Sequence, residues 1–409
     1  MSSIPDNPAK ARVPILLLVM ASAVGPLSLN IFVPSMPGLA EYFSTNDATV
    51  QLTLTVFLVA IAVSQLFIGP LSDRFGRRRV LIGGLTLFVM ASLAARLAPD
   101  IGSLITARAF QGIGGATGIV LSRAIVRDLY GRDRAASMIG YVTMGMAIAP
   151  MLGPSIGGFL DGSFGWQSSF DLIVVLGSAV FVAVILRLPE TNPRAGQRVP
   201  LAAFVASHRD LAGQMLFWSY ALVGAAGAAI FFSFLGGAPF ITQRLMGLTP
   251  FEYGLYFALV AGGYGFGNLL SGRFAEHHGP DRMILAGNLV AIAAVAAMGL
   301  VAASGVIHPL TIFVPMSICA FSNGLVLPSA LASAVSVRPD LAGAASGLAG
   351  ALQMGTGALA SAIVGALIHH GLFALVAMMA VAALLSAVAG HVARTLSRAD
   401  AERLLRSHV

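Results

Sequence analysis

Gly69-Pro70-Leu71-Ser72-Asp73-Arg74-Phe75-Gly76-Arg77-Arg78-Arg79 is the stretch from which the fold can be read. One long apolar run ends at it and another begins just after it. Arginines alone would need nothing beyond a short loop that sets topology by the positive-inside rule. The carboxylate set among them, with Gly69 and Gly76 on either side, asks for more. A carboxylate beside the N-terminus of a neighbouring helix gains about 0.3–1 kcal/mol from the helix dipole. Paired with Arg as well, it forms a latch that small helix movements can break. Gly69, Asp73, Arg74, Gly76, Arg77 and Arg78 are the candidate latch.

The pattern returns further along. Leu71-Ser72-Asp73-Arg74-Phe75 matches Leu270-Ser271-Gly272-Arg273-Phe274, and each copy follows the second apolar run of its half. A bilayer core of ~30 Å needs about 20 apolar residues per helix. Such runs lie near 13–35, 49–71, 80–98, 101–122, 136–160 and 168–188. A second set lies near 212–237, 250–274, 283–304, 309–336, 342–368 and 371–393. The organisation read from them is a tail over 1–12, a six-helix bundle over 13–188, a linker over 189–211, a second bundle over 212–393 and a tail over 394–409. Pro189, Pro193 and Pro200 mark the linker. Arg398 to His408 reads as a short amphipathic helix on the inner leaflet. Lys10 and Arg12 before the first run, with Ala21-Ser22-Ala23 inside it, resemble a signal-peptidase site. The run continues to Val33, so an uncleaved span is the better reading.

Composition supports the same class. The 409 residues are 57% hydrophobic and only 10% charged, against roughly 25% charged in an average soluble protein. A soluble chain of this length could not cover its surface with so few charges. The unbroken apolar runs exclude a transmembrane β-barrel, whose segments alternate over ~10 residues. The fold expected is all-α: twelve transmembrane helices in two pseudo-symmetric six-helix bundles. The formal charge of +7 forms no basic face, which argues against nucleic acid as a partner. Lone Cys319 supports neither a disulfide framework nor a thiolate metal site. No metal or cofactor is expected. Of the 24 basic residues, all but Arg96, Arg108 and Arg244 fall on one side of the twelve spans, so both termini are expected in the cytoplasm.

Three spans carry further patterns. The fourth contains Leu104-x3-Arg108-x2-Gln111-Gly112. Arg108 lies roughly 10 Å deep at 1.5 Å per residue, where a charge needs water or a partner. It either lines a wet cavity with Gln111, one turn away, or is satisfied by backbone carbonyls between helices. The fifth span carries Gly145-x3-Ala149-Pro150-x2-Gly153-Pro154-x2-Gly157-Gly158. Its prolines remove backbone donors, and its glycines let another helix approach closely. The first ends Pro26-Leu27-Ser28-Leu29-Asn30-Ile31-Phe32-Val33-Pro34.

With these motifs the sequence resembles the major facilitator superfamily, the 69–79 stretch being similar to its motif A. The resemblance implies two bundles that rock about a central cavity, with the first stretch as the cytoplasmic gate. The fourth span is similar to motif B of the drug-exporting members. The fifth resembles motif C, which is associated with antiporters and here comprises Gly145, Pro150, Gly153, Pro154, Gly157 and Gly158. The end of the first span, Gly236-Gly237-Ala238-Pro239-Phe240 in the seventh, and Leu327-Pro328-Ser329 in the tenth resemble the bicyclomycin/chloramphenicol-resistance multidrug exporters. That likeness implies a bacterial inner-membrane protein, acting as a monomer, that exports amphipathic drug-like molecules in exchange for protons. The alternative is a dedicated exporter of an endogenous, anionic metabolite.

One departure bears on coupling. Many members of that group carry Asp where this chain has Asn30, and Asn cannot exchange a proton. None of the 17 acidic residues falls at mid-membrane depth. Asp161, Asp171 and Glu252 are expected near the outer surface and the rest in loops or tails. Coupling then uses interfacial carboxylates such as Asp73, or Arg108 is neutralised by an anionic substrate or another ion. Phe32, Tyr141, Met144, Phe231, Phe232, Asn323, Gln353 and Met354 are candidate cavity residues from helical position alone, with ordinary helix packing as the alternative. His369 and His370 are read as solvated loop residues. No GxxxxGK[ST] phosphate loop is present, which argues against direct ATP drive.

Overall fold

A computed structural model describes residues 13–130, 132–192 and 201–407, except the side chains of 132–137, 140, 143–145, 147–151, 201–205, 276 and 400–407. Among the described residues there are α-helices and short 3-10 turns and no strand. In chain order the helices are α1 (Ile15–Phe32), α2 (Met36–Tyr42), α3 (Asp47–Phe75), α4 (Arg77–Arg96), α5 (Ile101–Leu129), α6 (Arg132–Phe164) and α7 (Gln167–Arg187). They continue with α8 (Leu201–Ala212), α9 (Met215–Met246), α10 (Pro250–His278), α11 (Pro280–Ala303), α12 (Leu310–Ser336), α13 (Ala342–Ala366) and α14 (Leu372–Ser407).

Ten stretches among the described residues are long and apolar enough to cross a membrane, α1 and α2 counting together as Ile15–Tyr42. The expected fifth and eighth spans are helices too, α6 of 33 residues and α10 of 29, but neither is among the ten. In α10 the apolar run is diluted by Gly262, Gly263, Tyr264, Gly267 and Asn268. Two expectations at the chain's edges change. The 189–211 stretch holds a helix of its own, α8. The 398–408 segment is the continuation of α14 to Ser407 rather than a separate surface helix.

Local chemistry fixes the helix starts. Asn46 accepts the Thr49 N–H at 2.8 Å to begin α3, and Asp100 accepts that of Ser103 at 2.8 Å to begin α5. Thr249 and Glu252 form a reciprocal capping box at α10, satisfying donors that would otherwise be orphaned.

Helices before α8 pack chiefly on one another, α5 lying against α1, α3 and α4, and α1 also against α6 and α7. Helices after α8 do the same, with α9 against α12, α13 and α14, and α12 against α10 and α11. The two sets meet along α3 with α13 and along α6 with α10. In α6 two adjacent glycines allow close approach, Gly157 to α1 within the first set and Gly158 to α10 of the second. A side chain at Gly157 would strike the Ile31 backbone of α1, and one at Gly158 the Pro250 backbone of α10. Van der Waals packing of backbone on backbone is what drives helix association once lipid has removed the hydrophobic incentive.

Candidate functional site

At the arginine-rich end, the loop that opened the reading is built around Arg77. Its guanidinium bridges Asp73 at 2.6 Å and Asp128 of α5 at 3.0 Å, and donates to Ser72 Oγ at 2.5 Å. Gly76, at φ +97°, turns the chain from α3 into α4. The carboxylate on a helix N-terminus here is Glu190, not Asp73 as the motif suggests. Glu190 accepts the backbone N–H of Arg77 at 2.8 Å and of Arg78 at 3.2 Å. Arg78 reaches back from Nε to the Leu188 carbonyl at 2.7 Å and from Nη2 to the Ile185 carbonyl at 2.9 Å. Asn192 donates to the Asp73 carbonyl at 3.0 Å. Residues 188–192 thus fasten the end of α7 onto the α3–α4 turn. Arg74 stays exposed, its guanidinium 5.0 Å from the Phe75 ring.

Arg108 is 0% exposed. Its guanidinium lies 4.2 Å from the Phe57 ring centroid and 4.9 Å from that of Phe32. Nη1 donates to Gln111 Oε1 at 2.5 Å and to Ser28 Oγ at 3.2 Å and its carbonyl at 3.3 Å. Gln111 passes the chain on to Ser92 Oγ at 2.7 Å. Among the described residues, Nε and Nη2 have no hydrogen-bond partner. The rings do the work expected of water, since a desolvated cation over aromatic faces gains about 2 kcal/mol. Every contact comes from α1, α3, α4 or α5. Of the two readings of Arg108, this conformation fits the one in which it is held between helices: with Gln111 it sits inside the first helix set.

The other residues singled out from the sequence scatter. Asn30 is buried, donating to the Pro26 carbonyl at 2.8 Å while its Oδ1 has no partner. Its Cβ meets Gly153, and Pro154 lies with its carbonyl against Gly254. Phe32 packs on Phe170 with centroids 5.3 Å apart. Phe231 and Phe232 pair at 5.4 Å, and Phe232 also lies against Gly357. Asn323 donates to the Gly227 carbonyl at 3.0 Å, and the Gln353 amide faces Gly224. Met354 is half-buried against the core. Tyr141 is 49% exposed. Met144, Gly145 and Pro150 lie outside the described side chains. Among the described residues these do not come together in one place.

The two helix sets are tied at the arginine-poor end. Gln51 of α3 donates to Ser361 Oγ of α13 at 2.5 Å, Arg244 pairs with Asp47 at 2.5 Å, Gln243 donates to the Pro34 carbonyl at 2.8 Å, and Ser155 to the Gly254 carbonyl at 2.7 Å. Toward the other end a cavity of about 450 Å³ opens between α3, α5, α8 and α13. Gln65, Arg123, Arg127, His208 and Ser346 line it, together with Gly69, Asp73 and Arg77. Among the described residues, none of the expected cavity residues does. Arg123 is half-buried there with its Nε unpaired and Nη2 3.7 Å from the Met146 sulfur. Asp73 and Asp128 both bind Arg77, so among the described residues lining the cavity two carboxylates face three guanidiniums, Arg77, Arg123 and Arg127, and one positive charge is left over. Arg123 and Arg127 were legible only as loop arginines that set topology. Their i, i+4 spacing on the end of a span, facing the linker, is the signal that could have found them.

A membrane-embedded helical protein, sealed between its two helix sets at one end and open between them at the other, has the build of a transporter. Residues 18–362 match the Major Facilitator Superfamily, and the chain belongs to that family. It is a secondary transporter, not an enzyme. It is 31% identical to Multidrug resistance protein D of Escherichia coli (strain K12), over 85% of this chain and 87% of that protein. It is 32% identical to the Chloramphenicol resistance protein of Pseudomonas aeruginosa, over 80% and 75%. A solved bacterial homologue of the human lysosomal transporter Spinster, inward-facing and occupied, superposes with a TM-score of 0.73 at 20% identity, covering 94% of this chain and 96% of that one. That likeness concerns the fold.

Proposed function

We propose that the protein is a bacterial inner-membrane exporter with twelve spans in two six-helix bundles, residues 13–188 and 212–393, joined by the 189–211 linker. Its termini and its arginine-rich end face the cytoplasm. It works as a monomer by alternating access, and the conformation described here is open toward the cytoplasm. Its substrate is a small anionic compound, bound first by Arg123 and Arg127. The excess of arginine over carboxylate lining the 450 Å³ cavity supports the reading, because a guanidinium fork matches carboxylate and phosphate oxygens. Arg108 and Asn30 then act through α1 and α5, holding the helices that frame the cavity. Exchange with protons runs through Asp73 and Asp128, two carboxylates sharing one arginine. The close α6 seam with its motif C glycines fits an antiporter.

The test is uptake into everted vesicles energised by a proton gradient. Anionic compounds should be carried and should be lost on Arg123→Gln, while Asp128→Asn should leave binding but uncouple transport from pH. Carriage of cationic amphiphiles unaffected by Arg123→Gln would overturn the anionic reading. A second reading is broad drug export, favoured by relatives whose names record multidrug and chloramphenicol resistance. A resistance panel in a pump-deficient bacterium, with an uncoupler control, separates the two.

A further inference from the structure

We infer that the flank of the first helix set carries a binding site for an anionic phospholipid, separate from the cavity between the sets. The ends of α3, α4 and α7 meet there around a cleft of about 860 Å³. Arg74, Arg79 and Arg187 border it and are exposed, and among the described residues none of the three has a carboxylate partner. The carboxylate at the cleft, Glu190, has both oxygens engaged by the N–H groups of Arg77 and Arg78. Its single charge is outnumbered by the four arginines that line the cleft, Arg74, Arg78, Arg79 and Arg187, which leaves a net positive charge there.

The remaining wall is apolar. Phe75 is 47% and Leu186 75% exposed. They continue the exposed apolar faces of α3, through Phe67 and Leu71, and of α7, through Val175 and Val182. An occupant must offer phosphate-type oxygens to the arginines and a long apolar tail to these faces. A phospholipid with net negative charge does both. Free phosphate would leave the apolar wall uncovered, and a zwitterionic lipid would bring a cation among three arginines. Basic notches at the headgroup level of transmembrane helices attract anionic lipid in this way, each Arg contributing about fivefold.

The experiment uses the purified full chain in mild detergent, with bound species counted by native mass spectrometry. Phosphatidylglycerol, phosphatidylcholine and inorganic phosphate are the probes. The chain should retain phosphatidylglycerol over phosphatidylcholine, and Arg79→Gln with Arg187→Gln should weaken phosphatidylglycerol retention about 25-fold. Phosphatidylcholine retention should not change. Arg79→Lys with Arg187→Lys, which keeps both charges, should preserve the preference. Equal retention of the two lipids by the unaltered chain overturns the site, as does undiminished phosphatidylglycerol retention in the Gln variant or loss in the Lys variant. Displacement of the lipid by millimolar phosphate would assign the cleft to a free anion and overturn the lipid reading.

Discussion

Glu190 closes the amino end of α4 by accepting the backbone N–H of Arg77, 113 positions away in the chain. The bond ties the end of the sixth expected span to the start of the third. Between them Gly76 sits at φ +97°, and a Cβ there would push the Glu190 carboxylate off its N–H partners. Losing a side-chain cap costs about 0.5–2 kcal/mol. Glu190→Ala should fall near the low end, since the end of the helix is solvated, and Gly76→Ala should cost more by adding strain at positive φ. Thermal unfolding in detergent checks both, with Gly76→Ala expected to melt first.

Arg108 should resist replacement even by Lys. A point ammonium cannot lie flat between Phe32 and Phe57 while donating to both Ser28 and Gln111. Arg108→Lys should destabilise by about 2 kcal/mol, the size of a desolvated cation–π contact. Phe57→Leu should lose a similar amount. In the double variant the losses should fall well short of adding, because both remove one interaction. Additive losses in a denaturation series would mean that the rings pack without binding the cation.

At the arginine-poor seal, Asp47→Asn or Gln51→Ala should loosen the tie between α3 and its partners in the second set. The Asp47–Arg244 pair is half-exposed on its Arg side, so it is worth no more than about 1 kcal/mol. That shifts a two-state equilibrium by roughly fivefold at most. The readout is thiol labelling of Cys introduced at Ser361 in a Cys319→Ser background. Labelling should rise in Asp47→Asn and return to baseline when the charges are exchanged in Asp47→Arg with Arg244→Asp.

Gly158→Val should abolish transport without preventing membrane insertion. The added atoms would strike the Pro250 backbone, and overpacking of this kind costs about 1–3 kcal/mol. Gly162, where a Cβ would meet only the Phe251 side chain at 4.0 Å, serves as the tolerant control. Transport and surface expression measured side by side distinguish a jammed protein from a missing one.

The membrane-spanning helices were legible because hydropathy is a local property: ten of the expected spans recur, most boundaries within about four residues, while the first, fourth and seventh run on well past their expected ends to Tyr42, Leu129 and Met246. The site was less so. Depth along α5 put Arg108 out of reach of bulk water, but rotation about the helix axis decides whether it meets a cavity or a neighbour. That rotation is set by Phe57 on α3 and Phe32 on α1, which no spacing within α5 records. Phe32 was read as cavity lining for the same reason. Glu190 escaped notice because its partners lie on α4, and a cap that distant leaves no sequence signature. The Asp73–Arg77 pair was legible because its two residues adjoin in sequence and in space.

Gly157 and Gly158 face opposite neighbours from adjacent positions of α6, with no side-chain cushion toward either. In the proposed alternating-access cycle, movement of one set against the other could not be absorbed at Gly158 by rotamer changes. The contact with Pro250 would have to roll, backbone over backbone, which would make this point of α6 a fulcrum.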